Sequence, residues 1–470
     1  MATSSNVESL TPLDTLMPRT YIATLLTFRT TESNSTVKEE LQTGLECLFR
    51  QLPWLAGRVF PATSTQGQKP SLEIRWDRSN TFPYLIDKGS IPVEYEALSL
   101  AGLPPALIPP DIWPAPSMID ESLFLEGAPV FATSFFRFRD NRGLGLCVCM
   151  HHHAVDATGF AAVLKLWADN TTGVKGHVLN PAGGRLERLS NALSSDLEGV
   201  ANMSLDVLFT RHSEYSKLPP ALPSSSPPCT CKLFTFPVAR INEVKRSLEE
   251  HSSGTQTTNS VLCATIWSAV TCVRTERNPN LKEGTSRLIT AVNGRRRVSD
   301  EIASSANPYL GNVVLYSVSR LAVEDLVAAF DQPAKQSLLI VCNTISRSQS
   351  PSIINSRFVA EVYRLAQNVI DYRTIFVGWD LFGARDLTIT SWADLGLYEM
   401  QFGPRLGKPE FVRVRHADAD GVAIILPRKK SWSGASGTGA FNEVVEVMLM
   451  LRTDDMDALE QNSTWKGLTS

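Results

Sequence analysis

The sequence has 470 residues, a formal net charge of −3 and 43% hydrophobic residues. This length exceeds what one ordinary hydrophobic core covers, so it predicts two domains of about 200 residues each. The near-neutral charge gives no electrostatic footprint for a polyanion, which argues against nucleic acid as a partner.

The apolar residues do not suggest a membrane anchor. No uninterrupted apolar run approaches the ~20 residues that span a bilayer, and the polar start lacks a hydrophobic signal region. The eight cysteines lie mostly in apolar patterns, where we expect small core residues without redox or metal roles. These features predict a cytoplasmic protein without a membrane partner.

The first half of the chain alternates between strand and helix patterns. Runs of β-prone residues predict strands at 21–28, 72–76 and 93–98. Between the first two, Thr36 and Glu39 have the spacing of a capping box and predict the start of a helix.

Two proline-rich stretches interrupt these patterns. The first, 103–116, excludes regular structure, and we interpret it as a loop that wraps the surface in preference to one that rims a pocket. The second, 217–230, predicts a crossover linker. It divides the chain into an N-terminal domain at 1–216 and a C-terminal domain at 231–470.

The second half repeats the alternation. Strands are predicted at 231–236, in the residues before Asn293 and at 443–452, with helices at 239–251 and 259–274. Strands that alternate with helices in both halves predict the α/β class, with α+β as the alternative.

A strand, a histidine cluster and a helix meet in the first half. The segment 144–150 is apolar and β-prone, and a helical pattern follows it with Asp156 or Thr158 as its predicted cap. Three consecutive histidines, 151–153, lie between them. An imidazole titrates near neutral pH and accepts a proton from an attacking alcohol or amine, so we predict that His152 is a general base.

Other interpretations of this cluster stay open. His-x-x-x-Asp spacing is weak by itself, since a chain of this size gives ~0.4 chance matches. The histidines could form a solvated loop or a satisfied buried cluster. A metal site is not predicted, because consecutive side chains on an extended segment point to opposite faces and no partner spacing lies nearby.

Further motifs accompany His152 and Asp156 in a fixed order. They lie at 53–59, 293–297, 308–312, 390–392 and 398–409. Together they resemble the plant and fungal BAHD acyltransferases, and two extra residues in the last motif, Pro404 and Arg405, resemble the fungal branch, which includes trichothecene and meroterpenoid O-acetyltransferases.

The resemblance implies two chloramphenicol-acetyltransferase-like domains with an active-site tunnel at their interface. An acyl group, acetyl by preference, would move from acyl-coenzyme A to a hydroxyl of a secondary metabolite in a ternary complex, without a metal and in a monomer. His152 would be the base and Asp156 would orient its ring. Thr390 or Trp392 would stabilise the oxyanion, and Trp392 would also contact substrate. The alternatives are an ordinary strand residue for Thr390 and core packing for Trp392.

Two departures from the family pattern leave rival functions open. Gln401 stands where the family has an Asp that pairs with an Arg, here Arg295, and Ala157 stands where Gly is usual. We expect Gln401 to accept a hydrogen bond from Arg295, with Gly403 as a further structural residue. A catalytically silent binding protein and a stand-alone condensation-type N-acyltransferase are the alternatives. A dehydrogenase is disfavoured because no Gly-x-Gly-x-x-Gly follows a strand.

Overall fold

The computed structural model describes the residues 6–62, 69–77, 84–173, 184–221, 227–250, 254–331, 335–381, 385–417, 419–432 and 441–469. The strands are β1 Asn6–Ser9, β2 Tyr21–Arg29, β3 Arg58–Pro61, β4 Leu72–Trp76, β5 Ile86–Ile91, β6 Ala128–Pro129, β7 Phe131–Phe138, β8 Gly143–His151, β9 Tyr215–Ser216, β10 Cys229–Pro237, β11 Thr285–Asn293, β12 Val314–Ala322, β13 Phe376–Val377, β14 Leu387–Ser391, β15 Phe411–Val414, β16 Val422–Ile425, β17 Lys429–Trp432 and β18 Phe441–Arg452.

The α-helices are α1 Pro12–Thr15, α2 Asn34–Gln51, α3 Tyr95–Leu100, α4 Glu121–Glu126, α5 Ala157–Thr171, α6 Arg185–Ala192, α7 Ser194–Gly199, α8 Leu205–Arg211, α9 Val238–Glu249, α10 Thr258–Arg277, α11 Arg295–Val298, α12 Val323–Asp331, α13 Lys335–Ser348, α14 Ser356–Asn368, α15 Gly403–Leu406, α16 Thr453–Gln461 and α17 Ser463–Leu468. Strands and helices share both halves, which confirms the predicted mixed α/β class.

Two large mixed sheets organise the chain. The first has the order β15-β2-β8-β7-β5, and the second has the order β10-β18-β16-β14-β11-β12, with β17 also paired to β18. Strand β8 is buried along its whole length, as predicted for the strand before the histidines. Helices α2 and α5 pack on the first sheet and α10 packs on the second, so each sheet has its own hydrophobic core.

The first sheet contains a strand from the second half of the chain. Phe411 on β15 pairs with Thr27 on β2, and Val414 pairs with Thr24 in the same antiparallel ladder. The boundary predicted from the linker therefore does not describe how the sheets are built. Of that linker, 217–221 and 227–228 lie in neither helix nor strand, and 222–226 falls outside the described residues.

Two local predictions in the first half are wrong. Helix α2 starts earlier than expected, because the Ser33 side chain accepts the Thr36 N–H and is the N-cap. The segment expected to form a strand at 93–98 is largely helix α3. Its buried residues Tyr95 and Leu98 are three positions apart, a helical spacing that outweighed the β-prone composition.

The proline-rich stretch at 103–116 forms two short 3₁₀ turns, Pro105–Leu107 and Pro110–Ile112. Several of its residues line a cavity against the first sheet. It therefore rims a pocket, and the preference for a surface wrap was wrong.

Candidate active site

His152 lies in the tight turn between β8 and α5. Its backbone N–H donates to the carbonyl of Thr20 at 3.0 Å, and its own carbonyl accepts from the Asn312 side chain at 2.9 Å. The side chain is partly exposed, whereas those of His151 and His153 are buried. The turn therefore presents one of the three histidines.

The two neighbouring histidines, His151 and His153, form hydrogen bonds with the backbone inside the protein. His153 Nε2 donates to the carbonyl of Met17 at 2.7 Å, and His151 Nδ1 accepts the His153 backbone N–H at 3.2 Å. Burial holds the pKa of His153 at about 3 and lowers the pKa of His151 well below its usual value. Both rings are therefore neutral at pH 7.

His152 is also kept neutral. Burial lowers its pKa below the usual value, against the opposing effects of its own carbonyl and the Asp156 carboxylate. Nδ1 is enclosed by the protein, which leaves Nε2 as the ring nitrogen that faces a reactant. A neutral imidazole with one accessible nitrogen has the protonation state that a general base requires.

Asp156 holds the turn without contacting the His152 ring. It is the N-cap of α5 and accepts the Gly159 N–H at 2.9 Å, and it accepts the Val313 N–H at 3.0 Å. Arg295 donates to both of its oxygens, at 2.8 and 2.9 Å. Asp156 is 1% exposed and Arg295 is 5% exposed, so this is a buried, hydrogen-bonded ion pair between the two halves.

The predicted contact between Arg295 and Gln401 is absent, because Arg295 is already committed elsewhere. Besides Asp156, its guanidinium donates to the carbonyls of Tyr309 at 2.9 Å and Gly311 at 2.7 Å. Gln401 is exposed and donates to the carbonyl of Gly403 at 3.2 Å. The presence of Gln401 in place of the family's Asp therefore does not change the hydrogen bonds that hold the His152 turn.

Gly403 occupies a position that other residues fit poorly. Its φ is +74°, and a Cβ there would collide with the carboxylate of Glu40. Gly403 starts the short helix α15, which packs against α2 and α5. Its structural role therefore rests on backbone conformation and space.

The departure at Ala157 is also mild. Ala157 is the first residue of α5, and it is not among the non-glycine residues with positive φ, which in the described chain are Leu103 and Asn141. Glycine is therefore not needed for the backbone conformation found here.

Thr390 and Trp392 lie at the carboxyl end of β14. Strand β14 runs parallel to β11, whose last residue, Asn293, donates to the Thr158 hydroxyl on α5 at 3.1 Å. Trp392 is 5% exposed, and its ring lies 6.0 Å from that of Phe160. The second sheet thus brings this segment to the start of α5, where Trp392 packs in the core.

Asp14 and Asn312 join the site although the sequence alone indicates no role for either residue. The Asn312 side-chain amide donates to Asp14 at 2.8 Å as well as to the carbonyl of His152. Asp14 is fully buried, and burial raises its pKa. Asn312 stood in a motif shared with the family, and Asp14 in a capping box with Thr11, which were the available signals.

A third residue without an assigned role, Arg185, supports the same turn from α6. Its Nη1 donates to the carbonyl of Ala154 at 2.6 Å, and its Nε pairs with Glu8 at 3.3 Å. No motif in the sequence indicated a role for this buried Arg.

A cavity of about 390 Å³ adjoins the ion pair. Arg295, Thr158 and Tyr309 lie in its wall together with residues of the segment 302–306. Across the ranges that the structure describes, no three His, Cys, Asp or Glu residues are grouped as metal ligands, and no helix is long and apolar enough to cross a bilayer.

Family models match most of the sequence. The model described as the Transferase family matches residues 121–465, and a trichothecene 3-O-acetyltransferase-like N-terminal domain matches residues 19–170. The chain belongs to the Transferase family. This agrees with the resemblance drawn from the motifs around His152.

Several curated relatives of this chain are fungal O-acetyltransferases. It is 28% identical to a trichothecene 8-O-acetyltransferase of Fusarium sporotrichioides, over 96% of each chain. It is 26% identical to an eremophilane O-acetyltransferase of Penicillium roqueforti, over 89% of this chain and 91% of the relative.

Solved structures show the same fold. TRI101 of Fusarium graminearum, complexed with coenzyme A and deoxynivalenol, matches with a TM-score of 0.80 at 19% identity over 99% of both chains. Vinorine synthase matches with a TM-score of 0.63 at 16% identity, over 99% of this Transferase family chain and 98% of that one.

Proposed function

We propose that the chain is an acyl-coenzyme A-dependent O-acyltransferase that acetylates a hydroxyl of a secondary metabolite. The observation that carries this proposal is His152, a neutral imidazole presented at a strand end by the buried Asp156–Arg295 pair. The family match and the names of the fungal relatives support the same reaction class.

In the proposed step, His152 Nε2 takes the proton from the acceptor hydroxyl as its oxygen forms a bond to the thioester carbonyl carbon. The carbon–sulfur bond then breaks, and the imidazolium returns the proton to the departing thiolate, which gives the ester and free coenzyme A. Asp156 keeps the turn in place from outside the reacting atoms. No acyl-enzyme forms.

The oxyanion of the tetrahedral intermediate needs a fixed donor. We assign this role to the hydroxyl of Thr390, which lies near the carboxyl end of β14, the strand beside β11, whose last residue contacts the start of α5. Trp392 contributes packing against Phe160 and no donor. Gln401 and Ala157 were the reasons to consider a catalytically silent binding protein. Gln401 binds the carbonyl of Gly403 away from the His152 turn, and Ala157 forms the first residue of α5 with Asp156 still in place as its N-cap.

The test is mass spectrometry of a metabolite extract from the source organism, incubated with isotopically labelled acetyl-coenzyme A. We expect a labelled ester with the native protein, and a loss of two or more orders of magnitude with His152→Ala. Thr390→Ala should lower turnover by about 10² or more, while Thr388→Ala, two residues earlier on the same face, should not.

Thermal unfolding of each variant separates loss of chemistry from loss of fold. If native protein yields no labelled ester with acetyl or longer acyl-coenzyme A donors, the proposed reaction is wrong. If His152→Ala retains turnover, the reaction has another base.

We further propose that the protein acts as a monomer in the cytoplasm. The Asp156–Arg295 pair joins both halves within one chain, so the site needs no second copy. Cys147 and Cys149 remain buried thiols, which suits a reducing compartment. Light scattering coupled to size-exclusion chromatography tests the monomeric state. Cell fractionation tests the cytoplasmic location.

A further inference from the structure

A second cavity lies between the first sheet and the proline-rich loop. Its volume is about 500 Å³, and its wall includes Pro105, Ile108 and Trp113 from the loop and Thr20 and Tyr21 from the start of β2. The wall also contains Arg413 on β15 and, just after that strand, Arg415 and the exposed His416. We call this cavity the Arg415 pocket.

Arg415 extends the strand ladder into this pocket. Its backbone N–H donates to the carbonyl of Ala23 at 3.0 Å, which continues the pairing of β15 with β2. Its guanidinium lies 5.5 Å from the centre of the Trp113 ring. The position of the cation is therefore fixed from both the sheet and the loop.

The charge of Arg415 has no carboxylate partner among the described residues. One donor, Nη1, binds the carbonyl of Ala115 at 2.7 Å, and burial lowers the pKa of the side chain. Arg413, two residues earlier, differs because its guanidinium donates to both oxygens of Glu446 at 2.8 and 2.9 Å. Of these two cations in the pocket wall, only Arg415 is left to pair with a ligand.

The rest of the pocket wall is mainly apolar. Tyr21 in that wall is 8% exposed, and its hydroxyl oxygen is enclosed by the protein, so it supplies no donor to the cavity. The guanidinium of Arg415 is therefore the group on which binding of a ligand would depend.

We propose that the Arg415 pocket binds a carboxylate carried on an apolar body. A guanidinium presents two parallel N–H groups that match a carboxylate, and an apolar body suits the proline, isoleucine and tryptophan side chains of the walls. Of the two arginines in the wall, Arg415 alone has no carboxylate partner among the described residues, and its single charge suits a carboxylate better than a phosphate dianion.

The pocket lies beside the proposed active site. Thr20, in its wall, accepts the backbone N–H of His152 through its carbonyl. A ligand held by Arg415 therefore lies next to the turn that carries the base. Binding is measured without an acyl donor, so its outcome is separate from that of the acyl-transfer proposal.

The test is isothermal titration calorimetry with 4-phenylbutyrate and with its neutral analogue, 4-phenylbutyramide. We expect the acid to bind the native protein about tenfold or more tightly than the amide. Arg415→Gln keeps a donor for the carbonyl of Ala115 but removes the charge, so it should weaken the acid by a similar factor and leave the amide unchanged. Arg139→Gln, which alters an exposed arginine paired with Glu94, is the matched control.

A thermal unfolding midpoint of Arg415→Gln close to that of the native protein would show that the variant is still folded. Equal affinity for acid and amide overturns the proposal, as does native-like acid binding by Arg415→Gln. Inorganic phosphate that binds through Arg415 while the acid does not would overturn the choice of a carboxylate. If none of the three probes binds the native protein, the pocket has no such site.

Discussion

Asp156 and Arg295 form two parallel hydrogen bonds across 139 residues of sequence. The pair joins the first turn of α5, in the first half, to the start of α11, in the second half. Because both residues are buried, each charge depends on the other for its compensation. The conformation of the His152 turn is thus tied to the docking of the two halves.

Replacing Asp156 should therefore destabilise the protein strongly. Asp156→Asn leaves the Arg295 charge buried without a counter-charge, and we expect a loss of about 3–5 kcal/mol in the free energy of unfolding. Asp169→Asn is the matched control on the same helix, because its partner Lys165 is exposed. The control should lose about 0.5 kcal/mol or less. Equal losses in urea denaturation would contradict a special role for the buried pair.

Asn312 should affect turnover as well as stability. Asn312→Ala removes the donor that joins Asp14 to the carbonyl of His152, so the base loses its fixed position. We expect a fall in kcat with little change in KM. Asn355→Ala, which removes the N-cap of α14, should lower stability by about 1 kcal/mol but leave kcat unchanged. A kcat loss shared by both variants would show that Asn312 acts through stability alone.

The buried histidines should make stability depend on pH. The folded pKa of His153 is about 3, below its value of 6.5 in an unfolded chain, so the unfolded state binds more protons between these values. This contribution to stability is complete above pH 6.5 and is lost as the pH falls towards 3, with a slope of up to about 1.4 kcal/mol per pH unit. His153→Gln should reduce the slope of unfolding free energy between pH 6 and 4 by about that amount. An unchanged slope would show that groups other than His153 cause the pH dependence of stability.

Comparison of Gly403 with Gly396 separates the cost of backbone strain from the cost of steric crowding. Gly403→Ala introduces a side chain at a φ of +74° and against Glu40, whereas Gly396→Ala introduces one at a φ of +64° in open space. Both variants should lose about 1–2 kcal/mol from strain. Gly403→Ala should lose about 1–3 kcal/mol more, because the Glu40 side chain must move. Equal midpoints in thermal unfolding would show that Glu40 moves freely.

The sequence predicted those parts of the site that are local. Strand β8, the cap at Asp156 and helix α5 follow from hydrophobic period and capping chemistry within thirty residues. The choice of His152 among three histidines followed from its spacing to Asp156. The structure adds that burial distinguishes the three, since His152 alone is partly exposed.

The parts that the sequence missed depend on contacts between distant segments. Asp14 and Asn312 are 298 residues apart, and no local pattern reports that they meet behind the His152 turn. The expected partner of Arg295 was wrong for the same reason. Arg295 lies in α11 beside Asp156 and two carbonyls, while Gln401 lies at a separate, exposed position.

The position of β15 in the first sheet affects how the N-terminal half folds during synthesis. It fills the edge of the first sheet beside β2, although the ribosome must add roughly 260 residues between the end of β8 and the start of β15. At ordinary synthesis rates that interval is about 13–52 s, during which the edge of β2 has unpaired N–H and carbonyl groups. The N-terminal half is thus open to wrong pairing until most of the chain has emerged, and a fragment that stops before Phe411 keeps that edge exposed permanently.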